Sequence, residues 1–319
     1  MSASIRKIQR DCQQCSRKFR KVDNDGLKSY KRMHVSEVNI YPIKSLKGIS
    51  LDSAVVEERG LRHDRRWMLT DRDGIFMTQR EFPRMALIDV AIASDGLRVT
   101  SENAGEMAIP FEPDKGERQR VTIWNSICDA EVYRGAVSEW FSDVLGTACQ
   151  LVRMPDATQR HINPIFDRGR DIVSFADGYP IMVVSEASLE DLNSRLLREM
   201  EEGIGDPLPM NRFRPNLVVS DSEPYAEDDW SRIRIGEAVF RSTKPCERCV
   251  ITTVDQSTGE FTGKEPLKTL ATYRMAKDVI PDRFESYGMN GTAVLFGQNL
   301  IPETPNATIR VGDAITGIP

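Results

Sequence analysis

The feature of this sequence that most constrains its fold is a succession of short β-branched and apolar segments separated by turns rich in Gly and Asp. Residues 71–74 and 94–96 are two such turns, and the segments on either side of each turn predict a β-hairpin. Residues 251–255 form a further apolar, β-branched run that predicts a strand. Many short strands joined by tight turns are typical of a β-barrel or β-sandwich, so we predict a β-rich α+β fold.

Two segments instead have the spacing of apolar residues that is typical of amphipathic helices, namely residues 137–145 and 185–200. The helical and strand patterns are interrupted near residue 155. We therefore predict an N-terminal domain over residues 34–155 and a C-terminal domain over residues 156–319.

Residues 1–33 differ in composition from the rest of the chain. They are rich in basic residues and poor in large apolar residues, which predicts a disordered extension. Cys12 and Cys15 within it have the spacing of half a zinc site, but no second pair in a matching environment completes that site.

The charge of the chain argues against several classes of protein. The net charge is −5, although residues 1–34 carry ten Lys and Arg against three Asp. The remainder is therefore strongly acidic, which favours a small-molecule enzyme or a protein-docking surface over a nucleic-acid binder. No apolar run approaches the ~20 residues that span a bilayer, and no secretory signal is found. Six cysteines are too sparse for a disulfide scaffold, so we expect a reduced, cytoplasmic protein without a membrane partner.

Cys246 and Cys249 stand immediately before the strand predicted over residues 251–255, close to Lys244 and Arg248. Nearby cations lower the pKa of a thiol, and the thiolate is the form that binds metals or attacks electrophiles. A soft sulfur donor suits a transition metal. One cysteine pair alone does not distinguish a metal site from a cysteine nucleophile that pairs with a histidine.

Basic and polar side chains also cluster at three predicted strand ends. The clusters are Lys44 with Ser45, Arg62 with Arg65 and Arg66, and Arg212 with Arg214 and Asn216. Guanidinium groups, a lysine and a hydroxyl are what a phosphate-bearing anion requires, although each cluster alone also fits a solvated strand end. No phosphate-binding GxxxxGK[ST] loop, dinucleotide-binding GxGxxG or HExxH motif is found.

Three stretches carry a resemblance to a known family. They read Tyr-Pro-Ile-Lys-Ser at residues 41–45, Arg-Phe-Arg-Pro-Asn at 212–216 and Cys-Glu-Arg-Cys-Val-Ile-Thr-Thr-Val-Asp at 246–255. In this order and spacing they resemble the MOSC-domain proteins, the family of the mitochondrial amidoxime reducing component and its bacterial YcbX-type relatives. The resemblance extends over residues 34–319 and implies a MOSC N-terminal β-barrel-like domain packed against a MOSC β-barrel domain with flanking helices.

The resemblance also implies a molybdenum cofactor, in which the metal is held by the dithiolene of a pterin that carries a phosphate. It assigns the protein ligand of the metal to Cys249, and a water-ordering or proton-relaying role near the metal to Asp177. The residues that it assigns to the grip on the pterin and phosphate are Lys44, Ser45, Arg65, Arg214, Asn216 and Arg248. Cys246 receives no definite role.

The activity that the resemblance implies is a molybdenum-dependent reduction of small N-hydroxylated compounds. Since no cysteine follows Cys249, we expect no iron–sulfur cluster in this chain, and electrons from a separate ferredoxin, flavin reductase or cytochrome b5-like protein. Two alternatives stay open: a sulfur carrier that uses a cysteine persulfide, as in molybdenum cofactor sulfurases, and a cofactor carrier without turnover. Pyridoxal phosphate binding belongs to the family only in general, because this sequence has no recognisable lysine motif for it.

Overall fold

The structure is a computed structural model that describes residues 33–199 and 206–317. Its strands, in chain order, are β1 (His34–Ile40), β2 (Ile49–Leu51), β3 (Ser53–Glu57), β4 (Gly60–Leu61), β5 (Trp67–Thr70), β6 (Asp89–Ala93), β7 (Gly96–Ser101), β8 (Gly105–Pro110), β9 (Arg118–Ile123), β10 (Ser126–Val132), β11 (Gln150–Arg153), β12 (Ile181–Ser185), β13 (Leu217–Ser220), β14 (Arg232–Ile235), β15 (Ala238–Glu247), β16 (Val254–Asp255), β17 (Glu260–Phe261), β18 (Leu295–Pro302), β19 (Thr308–Arg310) and β20 (Ile315–Gly317). Its α-helices are α1 (Ala136–Leu145), α2 (Glu186–Glu199), α3 (Leu267–Leu270) and α4 (Ala276–Val279). Short 3-10 helices span Pro83–Leu87, Met210–Arg212, Ala226–Asp229 and Val250–Thr253. The extension predicted over residues 1–33, with Cys12 and Cys15, lies outside the described residues apart from Met33.

Within the described residues, the largest sheet has eight strands in the order β2-β1-β13-β12-β18-β15-β14-β20. β1 pairs antiparallel with β13, whereas β12 and β13 are parallel neighbours. Their apolar side chains fill a core that includes Val38, Leu217 and Phe240, all of which are fully buried. Because β1 and β2 precede residue 155, the N-terminal part of the chain supplies two strands to a sheet whose other strands come from the C-terminal part.

Antiparallel strands of the N-terminal half form a second β region. β5, β11, β10 and β9 make one sheet, and β6, β7 and β8 make another. Both predicted hairpins are confirmed, since β6 and β7 pair around the turn at residues 94–96 and Thr70 bridges Phe76 across the turn at 71–74. Helix α1 packs its buried Phe141 into the core of this region.

The two helices predicted from periodicity are present as α1 and α2. At the start of α2 the Ser185 hydroxyl accepts a hydrogen bond of 3.1 Å from the Ser188 backbone N–H, which satisfies a donor of the first turn. The buried Glu227 carboxylate accepts further hydrogen bonds from the Ser185 N–H and the Ser188 hydroxyl. Leu192 and Leu196, on one face of α2, pack against apolar side chains of β12 and β18.

The predicted β-rich α+β class is confirmed, because strands dominate and the helices are few and mostly short. In the part of the chain that the structure describes, no helix is long and apolar enough to cross a membrane. Segments from both β regions, most of them at strand ends, meet at one cleft.

Candidate functional site

The cleft has a volume of about 470 Å³ and is lined by the turn after β1, the loops before β5, β12 and β13, the tip of the β9–β10 hairpin and the end of β15. All residues that the sequence predicts to hold or assist a cofactor line it: Lys44, Ser45, Arg65, Asp177, Arg214, Asn216, Arg248 and Cys249. Arg62 and Arg66, which flank Arg65 in the sequence cluster, do not line the cleft and lie against Glu57 instead. The fold therefore brings distant strand ends together, and it places some of the predicted basic residues in the cleft and others outside it.

Cys249 lies between the end of β15 and a 3-10 helix over Val250–Thr253. The strand predicted over residues 251–255 is therefore wrong for its first three residues, and only Val254–Asp255 pairs as a strand. The reason is local, because the Thr252 hydroxyl donates to the Cys249 carbonyl at 3.0 Å and thereby satisfies a turn rather than a strand. A compact turn thus fixes the backbone that carries the thiol.

The cation next to the Cys249 thiol is Arg80, whose Nη2 donates a hydrogen bond of 3.1 Å to Sγ. The sequence predicted Lys244 and Arg248 in this position. Lys244 instead pairs with Glu247 at 2.5 Å, and Arg248 donates to Cys246 Sγ at 3.5 Å. The two cysteines therefore have separate guanidinium partners, and Arg80 is a site residue that sequence reasoning missed.

Asp177 lies at the centre of the polar contacts in the cleft. Its carboxylate accepts hydrogen bonds from Lys44 Nζ and, at 3.2 Å, from Trp124 Nε1, and it lies 3.5 Å from Arg80 Nη2. Burial opposes its ionisation, but Lys44 and Arg80 outweigh burial and hold the pKa of Asp177 below its usual range. Burial in turn lowers the pKa of Lys44 to about 8 despite the attraction of Asp177.

The loop that carries Asp177 is fixed by Arg160, which is 6% exposed. Its guanidinium donates to the backbone carbonyls of Ser174, Ala176 and Asp177 at 2.8, 2.6 and 2.9 Å. Three bonds from one planar fork hold this loop in a single geometry. Arg160 thus fixes the backbone position of Asp177.

Tyr41, in the turn after β1, has two guanidinium groups close to its ring. The Arg65 and Arg214 guanidinium carbons lie 4.4 and 4.2 Å from its ring centroid. Arg65 is further held by both oxygens of Asp64, at 2.9 and 2.8 Å, and by Asn216 Oδ1 at 3.0 Å. Burial raises the pKa of Tyr41 to about 12, so the ring stays neutral between its two cations.

Four non-glycine residues that line the cleft have a left-handed backbone. The φ angles are +69° at Ser45, +48° at Arg65, +54° at Trp124 and +54° at Arg214. Such conformations cost about 1–3 kcal/mol each for ordinary residues and concentrate at functional sites. Among the described residues, the cleft therefore holds four of the eight non-glycine residues with this backbone conformation.

The lining is strongly basic, with seven Lys and Arg side chains and two carboxylates. Three buried guanidinium nitrogens of lining residues, Arg80 Nη1, Arg212 Nε and Arg248 Nε, have no hydrogen-bond partner among the described residues. Within the same residues, no three His, Cys, Asp or Glu side chains group as a metal site. Positive charge, unused donors and a thiol together suit an anionic ligand that contains a soft metal.

The sequence signals for the missed residues were weak. Arg80 and Trp124 follow ordinary strand patterns, and their position in the cleft depends on how two hairpins dock against the loop of Asp177. Arg160 lies in a segment without a motif. Tyr41 is part of the quoted stretch at residues 41–45, but its place between two guanidinium groups is a tertiary feature.

Comparison with known proteins gives matches along nearly the whole chain. The MOSC N-terminal beta barrel domain matches residues 32–148, and the MOSC domain matches residues 170–316. The chain is similar to mitochondrial amidoxime-reducing component 1 of Mus musculus, with 34% identity over 296 residues that cover 88% of this chain and 81% of that protein. The corresponding Homo sapiens protein is 32% identical over 290 residues, which cover 88% of this chain and 82% of the human protein.

A second kind of relative is the molybdenum cofactor sulfurase of Oryza sativa subsp. japonica. It is 33% identical over 275 residues, which cover 81% of this chain and 33% of the sulfurase. The similarity is therefore confined to about a third of that larger protein.

Proposed function

The chain belongs to the MOSC-domain proteins, and on that premise we propose that its cleft binds a molybdenum cofactor and that the protein reduces N-hydroxylated compounds. The observation that carries the proposal is the Cys249 thiol in a cleft lined by seven basic side chains. The names of the amidoxime-reducing relatives support the reaction class. We propose domain limits of 34–155 and 156–319 and a cytoplasmic location, as the sequence predicts.

The residues of the cleft fit such a cofactor. A pterin that carries a phosphate is an anion, and Arg80 Nη1 and Arg248 Nε are buried donors left without partners. Leaving a buried donor unpaired costs about 1–3 kcal/mol, so a polar ligand that accepts from these nitrogens is stabilised by the same amount. The Cys249 thiol supplies a soft sulfur donor of the kind that suits a transition metal.

Each side chain would have a defined part in holding the cofactor. Cys249 would ligate the metal, and Lys44, Ser45, Arg65, Arg214 and Arg248 would hold the pterin and phosphate. Asn216 acts through its neighbours, because it is 1% exposed. Its amide is occupied by Arg65 and by two backbone groups, the Met182 N–H and the Asn39 carbonyl.

When bound, the cofactor supplies the two-electron redox chemistry that reduction of an N–O bond needs. The protein's own contribution is binding, orientation and proton management. Asp177 is held ionised by Lys44 and Arg80, so it would accept a hydrogen bond from the substrate or from an ordered water rather than act as an acid. Lys44, whose pKa lies near 8, is suited to hold the proton that the departing oxygen requires.

The proposed function is tested by a reductase assay. Protein from a cofactor-competent host should reduce benzamidoxime to benzamidine with reduced methyl viologen as artificial donor, and Cys249→Ala should not. Full activity in Cys249→Ala would exclude the ligand role of this thiol. The natural donor would be a ferredoxin, flavin reductase or cytochrome b5-like protein, and each can replace the viologen in the same assay.

A second candidate function is sulfur transfer through a cysteine persulfide. It is favoured by the similarity to the sulfurase of Oryza sativa and by a second thiol in the cleft, Cys246, beside Arg248. Mass spectrometry of the intact protein that finds a stable persulfide on Cys246 or Cys249 would support it. Tight cofactor binding without turnover by any donor would support a carrier instead.

A further inference from the structure

Trp124 occupies an unusual position at the tip of the β9–β10 hairpin. Ile123 pairs with Ser126, so the loop consists of Trp124 and Asn125 alone. Trp124 has a φ of +54°, a conformation that two-residue hairpin loops normally give to Gly, Asn or Asp. A bulky aromatic residue is disfavoured in this conformation, which points to a role for its side chain.

The indole is held rigidly by three polar and aromatic contacts. Its Nε1 donates to Asp177 Oδ1 at 3.2 Å, the Arg80 guanidinium carbon lies 4.6 Å from the ring, and the Phe76 ring centroid lies at 5.1 Å. Even so, 48% of Trp124 is exposed. A ring that is anchored at one edge and over one face, and still half exposed beside a cleft, is a preorganised surface for a flat ligand.

The ring also lies close to the proposed metal ligand. Arg80, which stacks on the indole, is the group whose Nη2 lies 3.1 Å from Cys249 Sγ. A single guanidinium therefore separates the indole from the thiol. A ligand stacked on the exposed part of Trp124 would have its substituents near Asp177, whose carboxylate accepts from the same indole.

We infer that Trp124 is a specificity-determining residue, and that it selects substrates in which the N-hydroxylated group is conjugated to a planar aromatic ring. This inference rests on the proposed reductase function. Stacking on the exposed indole would bind the ring, and Asp177 would accept from the adjacent N–H or O–H of the substrate. Aliphatic N-hydroxylated compounds have no ring to stack and would gain nothing from Trp124.

The test compares benzamidoxime with acetamidoxime, which differ in a phenyl against a methyl group. We expect Trp124→Leu to lower the ratio of kcat/KM for benzamidoxime to that for acetamidoxime about two- to tenfold, mainly through KM, because the aromatic stacking contact is lost. Trp124→Phe, which keeps an aromatic ring, should retain most of the ratio. Ile127→Ala, an exposed position on β10 of the same hairpin outside the cleft, is the matched control and should leave the ratio unchanged.

Calorimetry with the redox-inert products gives a readout that is independent of turnover. Benzamidine should bind wild type more tightly than Trp124→Leu by a similar factor, whereas acetamidine should not distinguish them. An equal loss for both compounds in Trp124→Leu, or an unchanged ratio, overturns the inference while the proposed function stands. If wild type reduces neither amidoxime, the proposed function fails and the calorimetric comparison still decides the role of Trp124.

Discussion

We expect the buried charge of Lys44 to lower the stability of the folded protein, so that replacing Lys44 by an apolar residue should raise it. Its side chain is 7% exposed, and the side chain of its acidic partner, Asp177, is 53% exposed. Burial lowers the pKa of Lys44 from its ordinary 10.5 to about 8. At ~1.4 kcal/mol per pKa unit, keeping this ammonium charged at pH 7 costs about 3 kcal/mol.

We therefore expect Lys44→Met to raise the free energy of unfolding of the cofactor-free protein at pH 7. Solvent reaches the ion pair through Asp177 and relieves part of the burial penalty, and Asp177 keeps Trp124 and Arg80 but loses the ammonium that stabilises its charge. The measured gain should therefore be about 1–2 kcal/mol. The same variant should lose cofactor binding, because the ammonium is part of the anion site. Stability would thus be given up for function.

The gain should depend on pH with a defined sign. Between pH 8 and 10.5 the unfolded chain binds a proton at Lys44 that the folded protein has released, so wild-type stability rises with pH there. The advantage of Lys44→Met should therefore fall to about half by pH 9.5. Urea unfolding followed by tryptophan fluorescence at pH 7 and 9.5 measures both values.

Lys47→Met is the matched control, because Lys47 lies in the same turn with its side chain 53% exposed. It should change stability by less than about 0.5 kcal/mol. A loss of stability in Lys44→Met at pH 7, or a gain that does not change up to pH 9.5, would show that the buried charge of Lys44 does not destabilise the folded protein.

Substitutions at two further positions, Gly297 and Glu227, test the packing that supports the cleft. Gly297 lies in β18 with φ +81°, and the Cβ added in Gly297→Ala would lie 2.7 Å from the Val183 carbonyl oxygen. Chemical denaturation should show that this variant loses about 2–4 kcal/mol of unfolding free energy. Gly317→Ala, at a position where an added Cβ contacts nothing, is the control and should show no loss. Glu227→Ala leaves the Ser185 N–H and the Ser188 hydroxyl without their carboxylate partner, and should lower unfolding free energy by about 2–3 kcal/mol. Burial raises the pKa of Glu227, so the unfolding free energy of wild type should fall as pH rises above 4.5. Glu227→Gln should remove this dependence on pH. If the dependence persists in Glu227→Gln, Glu227 is not its cause.

The parts of the fold that could be predicted from the sequence depend on local patterns. The hairpins at residues 71–74 and 94–96 follow from Gly and Asp turns between apolar segments, and α1 and α2 follow from helical periodicity. Lys44 and Cys249 stand in contiguous motifs, so their presence in one cleft could be expected.

The features that could not be predicted depend on tertiary contacts or on local competition. Strand propensity at Thr252 is overridden by a hydroxyl bond to a backbone carbonyl, which gives a 3-10 turn. The pairing of Arg80 with Cys249 joins residues 169 positions apart, and no short-range pattern encodes it. Trp124 likewise reaches Asp177 from a hairpin tip, 53 positions away.

We propose Cys249, rather than Cys246, as the protein ligand of a molybdenum cofactor. The most direct test is the molybdenum content, by mass spectrometry of the metal, of wild type, Cys249→Ser and Cys246→Ser purified from a cofactor-competent host. We predict that wild type and Cys246→Ser contain molybdenum and that Cys249→Ser, although folded, contains only background. Wild-type molybdenum content in Cys249→Ser would show that Cys249 is not the ligand.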